Sequence, residues 1–342
     1  SSRFSTQRGQ QWCWSVPLPG SALSLAQLPL RPPRSSGLFC SQGILSMESP
    51  DGGCHQSNSR RIGEGLRWSE EDVLREVVDP GAWARGPHSR SNWLPIGQRE
   101  RLQFCVGGWP FKLPSGYGIS GESDEEAETK VRLLLEAGVT TFVNLTQSTT
   151  HELLLSTASN SSYASWEPRV RLLGTRIGAS TLNFSIKCPM PDEGVTSDDL
   201  LAKLLEELLE ELCDQERVLY VHCYGGHGRS GVVGCSILCL LYPCLAKLPQ
   251  SQRDEWCVEP MRSYVWPRDA VDRMRLKFGA EVAQLTESAV AAFNRCHSER
   301  VFELGGGCLR FPHSLDQLEQ VARVASGEGP FARLHGLLDG SL

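Results

Sequence analysis

One segment limits the fold more than any other: Val221 to Gly231 reads VHCYGGHGRSG. Four β-prone or apolar residues lead into it (Val218, Leu219, Tyr220, Val221), and an apolar stretch from Val232 to Leu241 leads away. The order is therefore strand, glycine-rich turn, helix. Such a turn aims successive backbone N–H groups and the positive end of a helix into one small cup that suits a phosphate. Cys223 stands at its start and Arg229 six positions on. The dipoles that hold an anion also stabilise a thiolate, and a planar guanidinium grips two phosphate oxygens at once. The pattern points to attack on a phosphate ester by sulfur. Read alone, Cys223 also fits a buried structural thiol like Cys235 and Cys239 on the following helix, but such a thiol needs neither the glycines nor the arginine.

The string HCYGGHGRSG resembles the signature of the cysteine-dependent protein tyrosine phosphatase superfamily, in the style of its compact dual-specificity and kinase-associated-phosphatase-like members. A bare cysteine and arginine at this spacing is a weak signal; the His-Cys and Arg-Ser pairs with the glycines between them make it specific. The resemblance implies an α/β fold, with a central, mostly parallel sheet flanked by helices. It implies a cysteine-dependent phosphoric monoester hydrolase that needs neither metal nor cofactor. In that scheme Cys223 is the nucleophile and Arg229 clamps the phosphate. Ser230 assists departure of the thiolate, and His222 orients the loop without acting as a base. Tyr224, Gly225, Gly226, His227 and Gly228 supply the phosphate-binding backbone. Ser230 also fits a helix N-cap and His222 a core histidine.

The general acid is assigned to Asp192. A leaving alkoxide or phenoxide needs a proton, and one carboxyl group on a mobile loop can give it and later take one from water. The segment PMPDEGVTS, which places Asp192 31 residues ahead of Cys223, resembles the acid loop of compact phosphatases. Glu193, Asp198 and Asp199 compete for the role, the last two in a helix first turn where acids are common. Two departures from the family stand out: Thr196 occupies a position often held by proline, and the last helix has no glutamine near Ala291.

Size and charge narrow the rest. A chain of 342 residues holds one large domain or two small ones. A net charge of −6 disfavours a nucleic-acid partner. Thirteen cysteines, irregularly spaced and without a Cys-x2-Cys pair, fit neither a zinc site nor a disulfide scaffold and suit a reducing compartment, here the cytoplasm. The apolar run Gly231–Ala246 contains Pro243 and is too short to span a membrane.

Along the chain, residues 1–65 read as a disordered leader and linker. Residues 1–47 have four arginines and no acid, which fits either a plastid or mitochondrial transit peptide or a leader preceding a start at Met47; Pro29, Pro32 and Pro33 disfavour an amphipathic helix there. Residues 66–90 carry a short helix capped by Ser69. The phosphatase-type domain spans 91–298, with strands at Gln103–Val106 and Val139–Leu145 and a capped helix from Ser123 between them. Val170–Leu173 and Phe184–Lys187 read as further strands, and Thr150–Ser156 as a short helix. Ser197 caps a leucine-striped helix, Asp198 to about Cys213, whose stripe from Leu200 to Leu212 is core. Residues 244–266 read as an irregular insertion, and Asp269–Phe278 and Glu287–Cys296 as closing helices. Residues 299–342 form an extension, helical near Leu315–Val324, with no role to assign.

The expected substrate is a phosphoprotein carrying phosphotyrosine, together with phosphoserine or phosphothreonine. Tyr224 and His227 stand where inositol-lipid phosphatases of the superfamily carry lysines, which disfavours a phosphoinositide; an RNA 5′-triphosphatase would favour a basic groove. A non-catalytic phospho-binding scaffold would be marked by loss of Cys223, Arg229 or the acid, and all are present. The oligomeric state is open.

Overall fold

Apolar strands that alternate their side chains between two faces need helices on both sides, and the computed structural model has that arrangement. It describes residues 66–111, 123–147, 166–179, 181–257, 270–300 and 311–339. The chain divides into units of residues 1–56 and 57–342, and every described residue belongs to the second. The expectations for a leader at 1–65 and a helix at Thr150–Ser156 fall outside the described residues.

In chain order the elements begin with α1 (Glu70–Glu76), β1 (Ser91–Trp93), β2 (Gly97–Gln98), β3 (Arg101–Leu102), β4 (Phe104–Gly107), α2 (Asp124–Glu136) and β5 (Thr141–Thr146). There follow α3 (Trp166–Arg176), β6 (Lys187–Met190), α4 (Asp198–Cys213), β7 (Leu219–His222) and α5 (Gly228–Leu241). The last are α6 (Gln250–Cys257), α7 (Ala270–Phe278), α8 (Ala280–Ser298), α9 (Leu315–Ser326) and α10 (Ala332–Asp339).

The main sheet has the order β1-β4-β7-β5-β6. β1 is the antiparallel edge, and β4, β7, β5 and β6 run parallel. Alternation along the strands builds two cores. Phe104, Val106, Val143, Leu145, Leu219 and Val221 face one side, with α4, α5 and α8. Cys105, Phe142 and Tyr220 face the other, with Trp109, Trp166 and the apolar stripe of α2. Helix α5 is buried along its whole length, so it is apolar all round rather than amphipathic. The first core also takes in Leu66, Trp68, Val73 and Val77 from the start of the described chain, and Leu318, Val321, Phe331 and Leu334 from its end.

Helices α2 and α4 begin where cap chemistry places them. Ser123 and Glu126 form a reciprocal capping box, and the Ser197 hydroxyl accepts from the Leu200 amide at 3.3 Å. Other expectations need correction. Val170–Leu173 is not a strand: it lies within α3, where Trp166, Val170 and Gly174 recur every fourth residue on the buried face. Arg169 and Arg171 imitate strand alternation there, yet they lean over the rings of Phe111 and Phe184. The strand expected at Phe184–Lys187 starts only at Lys187, because the Asn183 carboxamide accepts from Ser185 N at 2.9 Å and Ser185 Oγ at 2.7 Å and curls the chain ahead of it. Leu200 is exposed, although it opens the leucine stripe of α4. The segment read as irregular after Pro243 holds a 3-10 turn (Pro243–Lys247) and then α6. The closing helix α8 starts seven residues before Glu287, at Ala280, directly after Gly279 whose φ of +87° breaks it from α7.

Candidate active site

Strand β7 is central, and its neighbours end level with it: Gly107 of β4 and Asn144 of β5 are both in register with His222. The next residue, Cys223, therefore emerges at the carboxyl edge of the parallel sheet, where α/β proteins place their ligand crevices. The turn from Cys223 to His227 then feeds the N-terminus of α5.

Two glycine contacts let this turn fold. Gly226 has φ +77°, and a Cβ there would lie 2.3 Å from the Gly107 carbonyl carbon and 2.5 Å from the Gly108 nitrogen. Gly107 has no side chain of its own because the Tyr220 ring fills that space. The turn's carbonyls are engaged behind it. Tyr224 O accepts from Trp109 N at 3.0 Å, Gly226 O from Arg300 Nη2 at 2.9 Å, and His227 O from Gly231 N at 2.8 Å. Arg300 is itself buried and also donates to Asn92 Oδ1 at 2.8 Å, tying the loop to β1.

With the carbonyls held back, amides face the sulfur. Gly226 N donates to Cys223 Sγ at 3.1 Å. Cys223 is only 3% exposed, and burial on its own pushes a thiol up. The Arg229 guanidinium, the Ser230 hydroxyl and the amides of Ser230 and Gly226 together outweigh that burial and hold the thiol below its ordinary range. The Ser230 hydroxyl is buried without a hydrogen bond of ordinary geometry, and it helps to lower the Cys223 thiol.

Arg229 is 2% exposed. Its Nη1 donates to Met190 O at 3.4 Å and its Nη2 pairs with Asp192 Oδ1 at 3.0 Å. Strand β6 thus anchors the guanidinium and delivers the acidic residue in the turn that follows it. The Asp192 side chain is 74% exposed. Of its competitors, Glu193 sits one residue further along the turn at φ +57°, and its carbonyl accepts from Ser314 Oγ at 3.1 Å. Asp198 is bound to Arg323 Nε at 2.7 Å, away from the guanidinium of Arg229.

His222 is buried behind the turn, ringed by Trp109, Trp166 and Tyr220. Neither ring nitrogen makes a hydrogen bond of ordinary geometry. Burial drives its pKa down to about 3; the Cys223 backbone pulls the other way, and the Arg229 cation reinforces the fall. It is a neutral packing ring. The His227 imidazole also turns inward, with Nδ1 2.7 Å from His297 Nε2, and burial keeps it uncharged. Tyr224 is half-buried and leans on the Trp109 side of the sheet. Gly225 has no side chain because the His227 ring occupies that space, and Gly228 because His313 and Gln317 do.

The site therefore brings together Cys223, Arg229, Ser230, Asp192 and the amides of the turn. Several of its supports are absent from any local motif: Arg300, Asn92 and the segment after Phe311. Among the described residues no cluster of histidine, cysteine or carboxylate side chains is placed to hold a metal, and no helix is long and apolar enough to cross a membrane.

Residues 115–276 match the family model of the Swiss Army Knife protein's dual-specificity-type protein tyrosine phosphatase domain. That stretch contains Asp192, Cys223 and Arg229. Among solved structures the chain is similar to kinase associated phosphatase with its catalytic-site cysteine replaced by serine, at 17% identity and a TM-score of 0.30, covering 55% of this chain and 84% of that one. No curated protein matches.

Proposed function

We propose that this dual-specificity-phosphatase-like protein hydrolyses phosphotyrosine, and phosphoserine or phosphothreonine, on protein substrates through a phosphocysteine intermediate. One observation supports the proposal above all. A buried sulfur faces backbone amides at the mouth of α5, with a guanidinium and a carboxylate paired at 3.0 Å across the same cup.

The chemistry runs in two displacements. The Cys223 thiolate attacks phosphorus and forms the S–P bond. The P–O bond to the substrate oxygen breaks, and Asp192 gives that oxygen its proton. Arg229 and the amides of the turn stabilise the equatorial oxygens as their charge rises. Water then attacks the phosphocysteine while the Asp192 carboxylate takes its proton. The S–P bond breaks, inorganic phosphate leaves, and the electron pair returns to sulfur, eased by the Ser230 hydroxyl. A phosphate dianion competes with the Asp192 carboxylate for the Arg229 fork, so substrate binding releases the carboxylate from the cation, and once protonated from solvent it serves as the acid for the leaving group.

Neither variable side chain of the turn is a lysine, and the His227 ring is turned inward onto His297. Extra cationic contacts to a polyphosphorylated head group are not provided by them, which favours a single phosphate on a peptide. The test is Cys223→Ser in the full chain, assayed on phosphopeptides and phosphoinositides with tungstate binding measured alongside. Turnover of phosphopeptides is expected to vanish while tungstate still binds. Undiminished turnover would remove the mechanism, and a wild-type chain that binds tungstate but turns over no ester would make it a phospho-binding scaffold.

A further inference from the structure

The segment after Phe311 reaches the site from a part of the chain with no local motif. It is anchored on the closing helix: Asn294 donates to Phe311 O at 2.7 Å and accepts from Phe311 N at 3.0 Å. The Phe311 ring packs against α5 at Gly231, where a Cβ would fall 2.2 Å from the ring. From there the chain passes His313 beside Gly228 and enters α9 with Ser314 as its N-cap.

Four side chains of this segment are spent on the loop that carries Asp192. Ser314 Oγ donates to Glu193 O at 3.1 Å, and Gln317 Nε2 to Gly194 O at 3.1 Å. Gln320 Nε2 donates to Thr196 O at 2.7 Å, and Arg323 Nε to the Asp198 carboxylate at 2.7 Å. The contacts fall on Glu193, Gly194, Thr196 and Asp198, from the residue after the acid to the first turn of α4. Gln317 and Gln320 are wholly buried, so each of their amides would be costly to leave without its loop partner. The contacts also flank the unusual point of the loop, Glu193 at φ +57° inside a turn closed by the Gly194 amide donating to Pro191 O at 3.1 Å.

We propose that Ser314, Gln317, Gln320 and Arg323 are positioning residues, which hold the 192–198 loop so that Asp192 stays over Arg229 and the leaving group. The proposal rests on Asp192 as general acid. It gives α9 a part in the reaction and makes the acid loop a tethered strap, with Thr196 bonded through its carbonyl where the family often carries a proline. A proton donor displaced by about 1 Å can cost roughly a hundredfold in rate, so a strap of this kind would show in kinetics well before it shows in stability.

The experiment compares two esters in the full chain: phenyl phosphate, whose leaving group needs a proton, and 2,4-dinitrophenyl phosphate, whose leaving group does not. Gln317→Ala and Arg323→Ala are made singly; Arg323 is partly exposed, which makes its loss the milder test of folding. Each variant is expected to lose about 10–30-fold in kcat/KM, which reports the first displacement alone, on phenyl phosphate and less than about threefold on the dinitrophenyl ester. Combined with Asp192→Asn, neither is expected to cost anything further, because both act through the same group. Tungstate affinity should stay at the wild-type value. Equal losses on the two esters, full additivity with Asp192→Asn, or unchanged rates on both would overturn the strap. A wild-type chain inert toward both esters would instead bring down the phosphatase proposal, and the strap with it.

Discussion

The mouth and the body of α5 hold thiols of equal burial and opposite character. Cys223, just ahead of the helix, is 3% exposed, and Cys239, inside it, is 2% exposed. Burial raises the Cys239 thiol far above its ordinary range, with nothing to oppose it. The same burial acts on Cys223, but the Arg229 cation, the Ser230 hydroxyl and two amides reverse it. Cys296 on α8 behaves like the body, pushed up to about 12 by burial, with the Glu299 carboxylate adding to the rise. Cys105 is the instructive intermediate: burial leads and its thiol stays raised, although Arg300 and the Ser91 hydroxyl both pull it down. A cation and a hydroxyl are not enough at Cys105; convergence of cation, hydroxyl and two amides on one sulfur is what separates Cys223 from Cys105, Cys239 and Cys296.

That contrast can be broken at two points beyond the cysteine itself. Arg229→Lys keeps the positive charge and loses the fork. Turnover of phenyl phosphate is expected to fall by about 10²–10³-fold, while the Cys223 thiol remains more acidic than a core thiol; kcat near the wild-type value would show that charge alone suffices. Gly226→Ala places a Cβ against the backbone of Gly107 and Gly108 at a positive φ. It is expected to cost about 1–3 kcal/mol of stability, read from the urea midpoint, together with a measurable loss of tungstate affinity. Unchanged affinity would mean that the cup does not depend on the tight approach of the turn to β4.

What was legible in the chain was local. Ser123 with Glu126, and Ser197 ahead of a leucine stripe, mark helix starts through contacts within three or four residues. The turn from Cys223 to Ser230 announces itself because cup, nucleophile and clamp are contiguous. Val170–Leu173 misled because two arginines at alternate positions imitate a strand, and only packing of Trp166 and Val170 into the second core decides for the helix. Arg300 was illegible: its three acceptors, Asn92, Val106 and Gly226, lie 208, 194 and 74 residues away in sequence. Gln317 and Gln320 left a faint trace, as amides flanking the apolar stripe Leu318, Val321 and Ala322. Nothing nearby in sequence says that their partners lie on the loop after Asp192. Such partners are set by how α9 packs across α5, which is a property of the assembled core.

The most direct measurement is the pH dependence of thiol alkylation, read cysteine by cysteine by mass spectrometry on the native chain. A depressed thiol pKa means that the thiolate persists below the ordinary thiol range and is lost only as pH falls through the lowered value. Cys223 is therefore expected to react with iodoacetamide at pH values well below those of a free thiol, and to be protected by tungstate, while Cys239 stays unmodified until the chain unfolds. Equal and sluggish labelling of Cys223 and Cys239 across that range, indifferent to tungstate, would contradict an ionised sulfur at the mouth of α5.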